Sequence, residues 1–458
     1  MKFLFIGTTL RSLENLGSAP DELQARGHGV LSLLYPLPGD KTHESPLLDQ
    51  NPRFQLLRHA FTTPQPYMES VRSEPFLQEL AERVEQFNPD VIVLAVNTLP
   101  FAQLRSDLQG RLTRRRLWVG FQHGLVQRWG ETNLHDTCDV FLTFGERDRL
   151  RLAPSKRARS IAVGFPKLDR LAGMPVSSEP FLIYATDARA EAIKPVAALL
   201  AELERETGLP VYIRNHPVSK GTYRSSVRRP RDPRLLTLVE AEDPIPALAR
   251  CSAVITHYST LGVEALALGK PLVILPLDEA LDTFPGLPGL AASLDTPAVM
   301  RALHAARTED DQARQVLRDI VGPDLFHHSM ALAQVLEALA GDDGPHDAGT
   351  PSLPLRLGVN FAFDEGKRSF WVHGFVLSDP PASRVVLRYQ GEVLGQAELA
   401  HRRTDLETAF PEYGFVYSGW RLSCDLAEWP AGVLDIEIQD IAGGTSYHQS
   451  QIRLPMPV

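Results

Sequence analysis

The sequence predicts two successive α/β units with parallel sheets, followed by an all-β sandwich, and three observations carry that prediction. From Met1 to about residue 340, short apolar runs alternate with stretches of helical length, the pattern of strands joined by crossover helices. The alternation is interrupted once, by the Pro/Ser-rich GMPVSSEP at Gly173–Pro180, and then restarts. Beyond GDDGPHDAGTPSLP at Gly341–Pro354, which has almost nothing to bury, the hydrophobic period changes to two. The resulting division is 1–173, 174–340, a linker over 341–354, and a sandwich over 355–458.

The elements justify themselves in order. In the first unit KFLFIG, GVLSLLYP, DVIVLAV, LWVGF and DVFLTFG are continuous apolar runs rich in β-branched and aromatic residues, so each reads as a strand buried on both faces. Between them PFLQELAERVEQF sets Phe76, Leu77, Leu80, Val84 and Phe87 near a helical period, one stripe for packing on that sheet. In the second unit FLIYAT, PVYIRN, LLTLV, AVITHY and PLVILP read as strands, and PVAALLAELERET and LGVEALALG as helices. The sandwich strands are SFWVHGFVL, SRVVLRYQG, EVLGQAELA, SGWRLSCDL and VLDIEIQDI, separated by turn residues. Two joined α/β units outline a bilobal enzyme. Ligands of such sheets bind beyond the carboxyl ends of the strands, so the residues just after each strand matter most.

Composition excludes several classes of function. Hydrophobic residues make up 43% and charged residues 22%, close to the globular mean, which rules out disordered and fibrous chains. Lys+Arg 47 against Asp+Glu 56 gives a formal net charge of −9, which argues against a nucleic-acid partner because neutralising phosphates needs a basic face. Cys138, Cys251 and Cys424 are widely spaced, with no second Cys or His at zinc-ligand spacing, so neither a disulfide framework nor a metal site is expected. Cys138 and Cys251 sit in core-like stretches and read as reduced buried thiols. The MKFLFIGTTLRS start has too short an apolar run for a signal peptide, and no long uncharged apolar run follows. A cytoplasmic location is expected, with docking on the inner face of a membrane left open.

Three clusters could carry chemistry. Phe121-Gln122-His123-Gly124 follows the strand LWVGF, and Gly124 permits a tight turn that would hold the His123 imidazole at the sheet edge. There it can act as a general base, or simply bond its own loop. Arg214-Asn215-His216-Pro217 follows PVYIRN, and Pro217 biases His216 to extended backbone. His216 could donate to a phosphate oxygen with Arg214 and Lys220 adding charge, or the segment could be a plain strand-ending turn. The next stretch, SKGTYRSSVRRPRDPR, has six basic residues and reads as a solvated loop or a basic lid. Thr256-His257-Tyr258-Ser259-Thr260-Leu261-Gly262-Val263-Glu264 runs from a strand through a polar turn into a helix. Ser259, Thr260 and the amides after them could cradle phosphates. Glu264 could accept from ribose hydroxyls, since it stands five residues after Ser259 and four after Thr260, off the three-residue offset of a capping box.

The order of His123-Gly124, Gly164-Phe165-Pro166-Lys167-Leu168-Asp169, Ala185-Thr186, His216-Pro217, Ser259-Thr260 with Glu264, and Gly269-Lys270-Pro271 resembles bacterial GT-B-fold transferases of surface polysaccharides. The likeness is to CDP-glycerol glycerophosphotransferases of teichoic-acid synthesis and to capsule-polysaccharide synthesis proteins, some of which use CMP-activated Kdo. Bacterial sialyltransferases and polysialyltransferases carry similar His-Pro and Ser-Ser/Thr elements. It spans roughly residues 1–335 and implies two Rossmann-like lobes. It implies His123 as catalytic base, although Val126 stands where the glycerophosphotransferases carry Pro. It further implies His216, Ser259 and Thr260 on the donor phosphates and Glu264 on the nucleotide. Trp371, Gly374, Asp405, Gly419 and Trp420 resemble β-sandwich modules appended to some glycosyltransferases. Their aromatics could form a sugar platform or a core.

The expectation is therefore a glycosyltransferase or glycerophosphotransferase using a nucleotide-activated donor, CMP- or CDP-linked by likeness, and a glycan or lipid-linked acceptor. Neither metal nor cofactor is expected, in keeping with the lack of an Asp-x-Asp pair. One rival is a nucleotide-sugar epimerase or hydrolase, which would need further carboxylates in the site. UDP-N-acetylglucosamine 2-epimerases share the Glu and Gly-Lys-Pro elements but carry Ser-Gly-Gly where this chain has Tyr258-Ser259-Thr260. The other rival is a non-catalytic glycan-binding protein.

Overall fold

The computed structural model describes residues 1–7, 10–34, 53–57, 74–95, 104–125, 138–152, 157, 159–186, 193–215, 232–241, 243–257, 259–277, 283–341, 356–364, 369–378, 382–389, 392–399, 401–410, 413, 417–425, 433–440 and 446–453. The chain separates into two compact units. One comprises Met1–His123, Arg128–Val163 and Met330–Val458, the other Gly124–Gln127 and Gly164–Ser329.

In the first unit seven strands form a wholly parallel sheet: β1 (Lys2–Gly7), β2 (Gly29–Leu34), β3 (Phe54–Leu56), β4 (Val91–Leu94), β5 (Leu117–Phe121), β6 (Val140–Thr143) and β7 (Ser160–Ala162), in the order β3-β2-β1-β4-β5-β6-β7. The five apolar runs of the sequence supply five of these strands. The helix Glu74–Phe87 buries Phe76, Leu77, Leu80, Ala81 and Val84 in the core that also takes Leu4, Ile6, Ile92 and Leu94. That burial is the expected stripe, and it supplies the stability that helix propensity alone would not.

A basic run that could have formed a nucleic-acid surface is spent on the fold. Arg111 forks onto Glu74 at 2.6 and 2.8 Å, and Arg114 reaches Asn88, Pro89 and Asp90. Arg115 pairs with Asp139 at 3.3 Å, and the buried Arg116 lies 3.0 Å from Glu85. The Thr113 backbone N–H, helped by Arg116, holds the Glu85 carboxyl below its ordinary range against the opposing effect of desolvation.

The second unit has a four-stranded parallel sheet, β8 (Leu182–Ala185), β9 (Val211–Arg214), β10 (Ala253–Thr256) and β11 (Leu272–Ile274), in the order β11-β10-β8-β9. The expected strand LLTLV is instead part of a helix, Pro233–Glu240. The start signal decides it: the Asp232 carboxylate accepts from the Arg234 N–H at 2.8 Å and Pro233 occupies the first turn.

Two boundaries differ from the sequence division. The main segment of the second unit begins at Gly164, where the sequence division has residue 174, and residues 330–340 group with the first unit. The helix His328–Gly341 is tied there by Glu337, which accepts from Arg26 and from the His28 Nε2–H, each at 2.7 Å. The Gly173–Pro180 break is also no loose tether. Ser177 and Glu179 donate backbone N–H bonds to Ala249 and Arg250, and the Glu179 carboxylate takes the Arg250 guanidinium at 2.6 and 3.0 Å.

The C-terminal residues form two antiparallel four-stranded sheets, as expected of a sandwich. The strands are β12 (Arg356–Asp364), β13 (Ser369–Leu377), β14 (Ala382–Tyr389), β15 (Glu392–Glu398), β16 (His401–Arg402), β17 (Tyr417–Asp425), β18 (Val433–Asp440) and β19 (Ser446–Arg453). Their orders are β12-β13-β17-β16 and β15-β14-β18-β19. Val372, Val376, Val385, Leu387, Trp420, Ile436 and Ile438 fill the space between the sheets. Trp420 is therefore core, whereas Trp371 is half-buried with the Arg421 guanidinium 4.1 Å from its ring centre. Gly374 is required by close approach, since a Cβ there would lie 2.0 Å from the Gly358 carbonyl oxygen. At Gly419 a Cβ would lie 2.9 Å from His401 and 3.2 Å from Arg403, and Asp405 forks onto Arg403 at 2.8 and 2.6 Å.

Candidate functional site

The most developed polar constellation lies in the second unit, where β10 ends. Thr256 ties β10 to β8 through its hydroxyl, which donates to the Ala185 carbonyl at 2.9 Å. Next to it the buried His257 has Nε2 2.7 Å from the Tyr184 hydroxyl, itself buried. Tyr258 lies outside the described residues. Ser259 turns the chain into the helix Leu261–Ala267, its Oγ accepting from the Leu261 N–H at 3.2 Å, and Thr260 takes the N-cap position without a side-chain cap bond. Both hydroxyls are half-buried.

One turn into that helix Glu264 is only 1% exposed. A carboxylate so buried needs compensation. Lys167 Nζ stands 3.2 Å and Arg170 Nη2 3.1 Å from it, both at Oε1, and Arg170 also approaches Asp243 at 3.6 Å. The two cations come from the 3-10 turn Pro166–Leu171. With three residues per turn, positions i and i+3 eclipse, so Lys167 and Arg170 project to one side.

The Gly164–Asp169 motif explains how that turn is held. Gly164 has φ +86°, and a Cβ there would lie 2.4 Å from the His328 ring. His328 Nδ1 accepts from the Phe165 N–H at 2.8 Å, and its Nε2–H donates to the Asp324 carbonyl at 2.6 Å. Asp169 accepts from the N–H groups of His328 and Ser329 at 3.0 and 2.7 Å, capping the helix that starts there. The other resemblance element, Gly269-Lys270-Pro271, is also structural. Gly269 takes the left-handed conformation after the helix, and Lys270 donates to the carbonyls of Cys251, at 2.8 Å, and Ser177. Burial pushes the Lys270 amine below its usual range and the Cys251 thiol up to about 12.

The remaining expected residues fare differently. Arg214 Nη1 donates to the carbonyls of Val239, at 2.8 Å, and Ala241, which anchors the end of the helix Pro233–Glu240. These bonds give Arg214 a structural task. His216, Lys220 and the basic stretch up to residue 231 lie outside the described residues. In the first unit His123 is exposed at the end of β5, on a loop pinned beside it. The buried Gln122 donates to Asp148 at 2.6 Å and accepts from the Phe144 N–H at 2.8 Å, while Asn15 donates to the His123 carbonyl at 2.9 Å. Among the described residues no group of His, Cys, Asp and Glu could hold a metal ion, and no helix is long and apolar enough to cross a membrane.

The fold and the strand-end constellation together define a GT-B-like architecture, the one shared with enzymes that handle nucleotide sugars. No family model and no curated protein sequence matches the chain. Solved structures do. The UDP-GlcNAc 2-epimerase from Neisseria meningitidis, bound to UDP-GlcNAc, aligns at a TM-score of 0.51 with 14% identity, over 74% of this chain and 100% of its own. The UDP-N-acetylglucosamine 2-epimerase from Rickettsia bellii gives 0.52 and 14%, over 74% and 97%. The UDP-GlcNAc 2-epimerase from Methanocaldococcus jannaschii, in complex with UDP-GlcNAc and UDP, gives 0.51 and 11%, over 74% and 99%.

These neighbours correct the glycosyltransferase expectation, because they are UDP-N-acetylglucosamine 2-epimerases. The physical reason lies in the motifs. Gly269-Lys270-Pro271 serves the scaffold here, and motifs that build a fold do not by themselves fix the reaction carried out on it.

Proposed function

We propose that the chain binds a nucleotide sugar at the carboxyl ends of the second unit's strands and epimerises or hydrolyses it without an acceptor. The observation that carries this is Glu264, a nearly inaccessible carboxylate in the first turn of the helix after β10, in a fold that solved UDP-GlcNAc 2-epimerases share. A carboxylate at that place accepts from the ribose hydroxyls, and the Ser259–Thr260 hydroxyls donate to the phosphates. Uridine replaces cytidine as the base of first choice, following what the neighbours bind. His123 is the first unit's candidate acid–base group, imidazole being the side chain best suited to proton transfer near neutrality.

The test is incubation with UDP-N-acetylglucosamine alone in deuterium oxide, followed by proton NMR. Inversion by removal of a carbon-bound proton and its return from solvent on the opposite face exchanges that hydrogen, so such an epimerase gives a second nucleotide sugar carrying deuterium there. A hydrolase gives free sugar and UDP. An unchanged spectrum with UDP- and CDP-linked sugars alike would overturn the proposal. Glu264→Gln should weaken UDP binding about 10–100-fold, the usual loss of a charge-assisted hydrogen bond.

A further inference from the structure

We infer that Lys167 and Arg170 are positioning residues that determine the sugar specificity of the nucleotide site: by holding one oxygen of Glu264 they aim the other at the ribose 2′-hydroxyl. The inference rests on the proposed role of Glu264 and adds to it the two residues through which that role is set.

The geometry distinguishes this from mere charge neutralisation. An arginine whose only task is to balance a buried carboxylate does so best with a fork, two parallel bonds to both oxygens. Arg114, Arg250 and Arg403 show that the chain uses multidentate arginine contacts elsewhere. Around Glu264 the arrangement is lopsided. Both cations converge on Oε1, at 3.2 and 3.1 Å, and Oε2 accepts no hydrogen bond among the described residues. Lys167 stands on Glu264 alone, and Arg170, carried one 3-10 turn later and shared with Asp243, reaches the same oxygen from a second direction, which fixes the carboxylate's orientation. An oxygen held in one direction inside a protein, with its partner oxygen immobilised, discriminates between a hydroxyl and a hydrogen at the place it points to. A ligand lacking that hydroxyl leaves the carboxylate oxygen desolvated and unpaired. Arg170 is a third exposed, so its guanidinium can be exchanged without opening the core.

The probes are UDP and 2′-deoxy-UDP, titrated calorimetrically into the full chain. The wild type is expected to prefer UDP by about 10–100-fold. Arg170→Gln should reduce that preference several-fold, and Lys167→Gln with Arg170→Gln should bring it within about threefold, with 2′-deoxy-UDP affinity nearly unchanged. Arg170→Lys keeps the cation and should restore most of the preference. Asp243→Asn, at a side chain that faces Arg170 at 3.6 Å and accepts from the Ile245 N–H through an oxygen the amide keeps, should leave it unaltered. A preference that survives in the double variant overturns the inference while leaving the proposed function standing. So does an equal loss of both ligands, which marks a structural role. A wild type that binds UDP without preferring it also overturns the inference alone. A wild type that binds no UDP overturns the reading of Glu264 and, with it, this inference. If the double variant does not fold, the Arg170→Gln and Arg170→Lys pair decides, since preference lost in the first and kept in the second is the signature of positioning.

Discussion

Gly164→Ala should be among the most damaging single-methyl changes in the second unit, and its cost can be built from parts. The backbone there has φ +86°, which an alanine adopts at a cost of about 1–2 kcal/mol. The new Cβ would lie 2.4 Å from the His328 ring, nearer than any real contact, so the ring must move. Moving it breaks the bond from the buried Phe165 N–H and the bond to the Asp324 carbonyl, each contributing about 1 kcal/mol. The expected loss is about 3–4 kcal/mol. Urea unfolding followed by far-UV circular dichroism, with hydrogen exchange at the Phe165 amide as a local probe, measures it. The decisive comparison is with His328→Ala. Removing the ring removes both the clash and the bonds, so the double variant should be more stable than the two single losses predict, by about 1–3 kcal/mol. Simple additivity, or a Gly164→Ala loss below about 1 kcal/mol, would refute the contact geometry.

Other expectations concern charge and thiols. Cys138 and Cys251 are buried, and desolvation raises the Cys251 thiol to about 12, so neither should be alkylated by iodoacetamide at pH 8 until denaturant is added. Peptide mass spectrometry checks this, and rapid native labelling of Cys251 would contradict its burial. Desolvation raises the Glu337 carboxyl, but the His28 and Arg26 bonds outweigh it and hold the group below its ordinary value near 4.5. A lowered carboxylate stabilises the fold above that value and loses its contribution as pH falls through the folded one. The attachment of the helix His328–Gly341 should therefore weaken below about pH 4.5, by a few tenths of a kcal/mol for so accessible a pair, and Glu337→Gln should flatten that dependence in acid titrations of stability.

Much of the architecture could be read directly from residue order. The stripe of Phe76, Leu77, Leu80 and Val84 specified a helix and its buried face, and the apolar run of LWVGF specified β5. LLTLV misled because its period-free apolar run fits either element, and the capping pair Asp232-Pro233 decided for helix. Within the site, Glu264 stood out because its spacing from Ser259 and Thr260 missed a capping box; its burial was not legible. Its partners were not identifiable. Lys167 lies 97 positions away in sequence and Arg170 94, and only the folded turn brings them together. The i, i+3 spacing of two cations on a proline-initiated turn was the one available signal. The buried Tyr184–His257 pair was hidden for the same reason, each residue alone looking like an ordinary strand end.

The junction between the units also bears on any attempt to cut this chain into pieces. A fragment started at residue 174, where composition invites the scissors, would leave behind both counter-ions of Glu264 and the carboxylate cap that Asp169 supplies to the helix beginning at His328. It would strand the Glu264 carboxyl group in a dry interior with neither cation opposite. Excision from Gly164 keeps that electrical neutrality intact, so ten residues that look like the tail of one lobe are the keel of the next.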